Sequence, residues 1–160
     1  MANFLINNAQ TITANITLAS LASGSARQGN YVDFGETREK QWVTTLQTAV
    51  ASAPNATSGC EVYLAFGSGT GITSFAAGAS GVDSAYAGPD DTFTNGRNQL
   101  SFIGYFPTCA TTGLQTVNIG TFMPVLRYAT PIVYNILGQA LSSVANNHIL
   151  SFTSIKDKTG

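Results

Sequence analysis

The chain has 160 residues, a length that suits one domain able to bury a core without disulfide or metal staples. Only 9% of its residues are charged, against about a quarter in an ordinary globular domain, and the net charge is -1. That balance leaves no basic stripe to neutralise phosphates, so nucleic acid is not an expected partner, and no apolar run reaches the roughly 18 residues of a membrane span.

The first residues, MANFLINNAQ, have neither a positive n-region nor a long apolar stretch, so the expectation is a chain made in the cytoplasm. Phe4, Leu5 and Ile6, set between asparagines, suit either an added edge strand or an arm laid on a neighbour. The preferred division is an arm over 1–10, one β domain over 11–156 and a polar tail over 157–160. In residues 10–18 Ile12, Ala14, Ile16 and Leu18 alternate with Thr11, Thr13, Asn15 and Thr17, the signature of a half-buried strand. Small residues between Leu21 and Arg27 make a loop, and 30–34 reads as a short strand. Glu36, Arg38, Glu39 and Lys40 form the one charge cluster of the chain, read as a solvated turn.

Over residues 41–52 Trp42, Thr44, Leu46 and Thr48 share a face opposite Val43, Thr45, Gln47 and Ala49, and the Thr and Val content favours a strand over a helix. Cys60, Val62, Leu64 and Phe66 mark the inward face of the next strand. The Gly-, Ser- and Ala-rich stretch after it lacks the Lys and Ser/Thr of a phosphate-cradling loop, and reads as a plain connection. Asp83, Asp90 and Asp91 stand among the turn signals Gly88-Pro89 and Asn95-Gly96. Their spacing matches no calcium loop, so turn chemistry is the better reading and no metal is expected.

Residues 99–106 place Leu100, Phe102 and Gly104 opposite Ser101, Ile103 and Tyr105, and 114–122 form another strand. From Arg127 to Lys156, a β-branched and aromatic run from Tyr128 to Leu137, a polar turn opening at Gly138, and an alternating run from Ile149 to Ile155 read as two adjacent strands, the last with apolar contacts on both faces. About eight strands with no convincing helix predict an all-β fold, a two-sheet antiparallel β-sandwich of jelly-roll or Greek-key type.

The chemistry-bearing residues are sparse. His148, the one histidine, lies in a turn and is expected to be exposed, and no carboxylate pair stands out for glycoside hydrolysis, so no enzyme, cofactor or catalytic residue is expected. Cys60 and Cys109 belong to no CxxC pair and are read as free, partly buried thiols. Trp42, Tyr63, Tyr86 and Tyr105 could serve as sugar platforms, but at alternating strand positions aromatics read as core.

An opening of the type ANFLINNAQTITANITLASLASGSARQG, a middle of the type GCEVYLAFGSGTG and an ending of the type PIVYNILGQALSSVANNHILSFTSI are similar to those of small structural proteins of tailed bacteriophages. In the ending, Tyr134-Asn135 leads to Gly138 and the pair Ala140-Leu141 before an Asn/His turn and the last strand. The resemblance implies a virion component, a decoration or cement protein on the outside of the capsid, with the major capsid protein and copies of itself as partners and a homotrimer as its state. It would make the arm, with Phe4, Leu5 and Ile6, and the loops carrying Ile72, Phe75 and Tyr86 the contact residues. A neck, tail or fibre-anchoring protein is the alternative within a virion. A carbohydrate-binding β-sandwich, with a glycan as partner, is the alternative outside that class.

Overall fold

Alternation becomes burial wherever a strand was expected to face a core. Along residues 41–48 Trp42, Thr44, Leu46 and Thr48 are buried while Val43, Thr45 and Gln47 are half-exposed. The structure, a computed structural model, describes residues 10–36, 41–54, 58–89 and 91–155. The N-terminal residues Phe4, Leu5 and Ile6, the charges at Arg38, Glu39 and Lys40, Asp90 and the tail lie outside that range.

Among the described residues ten strands form: β1 (Thr11–Thr13), β2 (Ala26–Gln28), β3 (Val32–Asp33), β4 (Gln41–Thr48), β5 (Gly59–Gly67), β6 (Ser84–Tyr86), β7 (Ser101–Pro107), β8 (Gln115–Phe122), β9 (Tyr128–Asn135) and β10 (Ile149–Ile155). They make two antiparallel sheets, one ordered β1-β10-β4-β8 and the other β6-β2-β9-β5-β7, with β3 also paired to β9. The expected two-sheet sandwich is the observed fold. It has ten strands rather than about eight because two short strands, β2 and β6, lie in segments read as loops.

No hydrogen-bonded strand pair among the described residues is consecutive in the chain. This corrects the reading of β9 and β10 as neighbours: β9 lies between β2 and β5, and β10 between β1 and β4 in the opposite sheet. The turn between them carries the chain from sheet to sheet. β10 also buries one face rather than two, with Leu150, Phe152 and Ser154 inside and Ile149 and Ile155 exposed. The first strand is shorter than expected, ending at Thr13, yet the alternation continues to Leu18, which is buried as the chain crosses between sheets.

Between the sheets sits the main core, centred on four rings. Phe34 meets Trp42, Phe122 and Phe152 edge-on at centroid distances of 5.1, 5.3 and 5.4 Å. Such pairs contribute on the order of 0.5–1.5 kcal/mol each beyond their burial. A second core lies on the outer face of the larger sheet, where Tyr63, Ala65, Ile132 and Tyr86 are covered by Phe75, Ala77, Ala79 and Phe93 from the 68–100 connection. That connection is therefore a cover, not a plain loop, and it includes a short helix, α1 (Phe93–Arg97), where a turn was expected. Glycines on either side of the Phe75 ring have a steric purpose: a Cβ at Gly67, the last residue of β5, or at Gly81 in the cover would meet that ring at 2.5 Å.

Candidate functional site

Groups able to carry chemistry are tied into the scaffold. His148 is half-buried rather than exposed, because both ring nitrogens are used: Nε2 donates to the Ser142 carbonyl at 2.8 Å, which leaves Nδ1 to accept from the Thr48 hydroxyl at 2.8 Å. The tautomer is assigned from those partners, since a carbonyl can only accept. Burial lowers its pKa, outweighing the Ser142 bond, so the ring is held neutral. Cys60 is free and fully buried, and burial pushes its thiol up to about 12; Cys109 is free and exposed.

Asp83 joins the crossing segment to β2, accepting from Arg27 Nε at 2.7 Å and from the Thr17 hydroxyl at 2.5 Å. Burial alone would raise its carboxyl, but Arg27 and Thr17 outweigh it and hold the group below the ordinary carboxylate range. Glu61 accepts from Tyr63 Oη at 2.5 Å and pairs with Arg97 at 3.2 Å. Among the described residues no three of His, Cys, Asp and Glu gather to hold a metal, and no helix is long and apolar enough to cross a membrane.

Two surfaces stand out. The first is a groove of about 690 Å³ where β1 and the crossing segment face the approach to β3 and the end of the cover. Ile12, Val32 and Val82 supply its apolar part, Tyr31 an aromatic ring, and Gln10, Thr13, Asn15 and Asn30 its neutral polar groups. Tyr31 is 42% exposed but not loose: its N–H donates to Gly81 O at 3.0 Å, its ring stacks on Phe75 at 6.3 Å and meets Tyr128 edge-on at 5.9 Å. Asp33 is the one charged residue among the described residues of the lining, and Arg127 clasps it with two bonds of 2.9 and 2.8 Å. The Arg127 hydrogen bonds hold the Asp33 carboxyl below its ordinary value against a smaller effect of burial.

The second is the outer face of the four-stranded sheet. Strand register lines up Thr13, Ser151, Thr45 and Asn118 in one row across all four strands, and Thr11, Thr153, Val43 and Thr121 in the next. Hydroxyls and amides bond along the rows, Thr11 to Thr153 at 3.1 Å and Thr45 to Asn118 at 2.7 Å. None of the side chains in these rows is charged, and Ile149 and Ile155 lie at the two ends of β10.

Of the described residues expected to make contacts, Ile72 is 68% exposed, whereas Phe75 and Tyr86 are buried in the second core, with Tyr86 Oη donating to Ala77 O at 2.7 Å. Trp42, Tyr63 and Tyr86 are core residues, and Tyr105 is exposed at the edge strand β7. The groove residues were missed by sequence reasoning because they come from three segments, 10–15, 30–33 and 81–82, whose proximity no local pattern signals. A scan against protein-family models finds no match, and a search of curated proteins finds no relative.

Proposed function

We propose that this chain is a non-enzymatic structural protein of a phage particle, a decoration protein that binds the outside of the head, bridges capsomers and associates as a homotrimer. The observation that supports this reading is the uncharged outer face of the four-stranded sheet. Most solvent-facing sheet surfaces carry charges that keep other chains away. Here two rows of hydroxyl, amide and aliphatic groups offer a surface that another protein can cover without stripping water from an ion.

Size limits what that face can do alone. Three strands of seven or eight residues and the three-residue β1 span roughly 420 Å², at ~3.4 Å per residue and ~4.8 Å between strands. A standard stable interface needs about 800 Å² from each partner. The face thus supports a weak contact, and a symmetric oligomer on a symmetric shell multiplies it through effective concentration. Binding only to the assembled shell then stabilises that shell by mass action.

Sedimentation equilibrium over a range of concentrations, followed by cosedimentation with purified tailed-phage heads, tests this reading. A trimer retained on heads is the expected result. A strict monomer with no retention would overturn it.

A further inference from the structure

We propose that the Tyr31 groove binds a neutral saccharide, a function independent of the assembly reading. The lining decides the ligand class by elimination of charge and by what it leaves unspent. Asp33 is held in the two-bond clasp of Arg127, which also reaches Glu36 at 3.1 Å, so the one charged group of the lining is spent in an ion-paired cluster and the groups left open to a ligand are neutral. Its remaining polar side chains are the amides of Gln10, Asn15 and Asn30 and the hydroxyls of Thr13 and Tyr31. Asn30 uses its Oδ1 to accept from the Asp83 N–H at 2.8 Å, and no described residue takes its amide protons. The side chains of Asn15 and Gln10 have no hydrogen-bond partner among the described residues.

Neutral donors and acceptors beside an apolar floor match a sugar ring, which is hydroxylated at its edges and aliphatic on its faces. Tyr31 supplies the flat apolar partner. Its ring is held by Phe75 and Tyr128, and Tyr128 is in turn capped by Arg127, whose guanidinium lies 5.1 Å from the ring centroid. A platform fixed before the ligand arrives loses little side-chain freedom on binding. The volume of about 690 Å³ falls within the range of small-ligand sites, about 300–1,000 Å³.

The test is a glycan array of neutral and charged oligosaccharides on the full chain, followed by saturation-transfer NMR titration with the neutral oligosaccharide that binds best. Tyr31→Ala is expected to weaken binding by about tenfold or more, Tyr31→Phe to keep it within about threefold, and Asn15→Ala to weaken it severalfold, since its amide serves no internal bond. Thermal melting shows whether each variant is folded. Should Tyr31→Ala unfold, the Asn15→Ala and Tyr31→Phe titrations carry the test alone. Silence of every neutral saccharide, preference for charged ones, or binding indifferent to Asn15→Ala and to a folded Tyr31→Ala would overturn the proposal. None of these results bears on trimer formation or head binding.

Discussion

Asn135 is fully buried and spends its whole side chain on backbone: Nδ2 donates to Leu21 O at 2.8 Å and Gln139 O at 2.9 Å, and Oδ1 accepts from Leu137 N at 2.9 Å. It therefore fastens the loop before β2 to the turn after β9. Gly138, at φ +73°, makes the bend that returns the chain to Asn135, and Leu141 follows by donating to Leu21 O and bridging to Val50. The pattern of Asn135, Gly138 and Leu141 is thus a structural lock. Asn135→Ala strands the Gln139 carbonyl and the Leu137 N–H and leaves Leu21 O with Leu141 N–H as its donor, and a loss of about 2 kcal/mol or more in urea unfolding is expected. His148 gives the pH dependence at this scale. Its folded pKa lies below the ordinary 6.5, so the unfolded chain takes up the proton first. Its stabilising contribution is complete above pH ~6.5 and is lost as pH falls from there through the folded pKa. Unfolding free energies at pH 7, 6 and 5 should decline toward acid, and His148→Gln should flatten the decline below pH ~6.5.

At the scale of elements, the two sheets close on each other where edge strands β7 and β8 meet, and that closure depends on two bulges. Register skips Ile103 on β7 and Ile119 on β8, and both isoleucines pack against the main core. The expected alternation along 99–106 breaks at Ile103 for this reason. Each bulge faces the other strand's glycine: a Cβ on Gly104 would lie 1.9 Å from Ile119 O, and one on Gly120 would lie 2.3 Å from Ile103 O. Backbone cannot yield as a side chain can, so Gly104→Ala should cost about 3 kcal/mol or more, at the upper end of overpacking effects. Gly113→Ala, with only Thr111 Oγ1 near at 3.5 Å, is the control and should change the urea midpoint little.

For the whole molecule, the absence of consecutive strand pairs among the described residues has kinetic and functional consequences. Every ladder must close a long loop before it gains a contact, so refolding monitored by Trp42 fluorescence should fall in the millisecond-to-second range or slower, not in microseconds. Assembly belongs to the same scale. Replacing Thr45 and Thr153 by lysine puts like charges on adjacent strands of the uncharged face; if that face joins copies of the chain as proposed, sedimentation should show loss of the oligomer while the melting profile stays cooperative. Retention of the oligomer would move the contact elsewhere, with the 2–9 segment as the next deletion to make.

Alternation in the sequence by itself determined which side of most strands faces the core: Trp42 to Thr48, Cys60 to Phe66 and Ile12 to Leu18 could be sorted because a strand's period of two is a local property of the backbone. It also placed Trp42, Tyr63 and Tyr86 in the core and Gly138 at a turn, whereas Tyr105, expected inside, is exposed on the edge strand β7. Pairing is not local, since a Thr- and Val-rich strand meets many partners equally well, and so only the tertiary structure put β9 and β10 in opposite sheets. The cover of Phe75, Ala77 and Phe93 was hidden because small residues without periodicity look like loop until the rings they admit are seen. Tyr31, Asn15 and Asn30 meet in one groove for the same reason: their segments become neighbours only when the chain crosses from sheet to sheet.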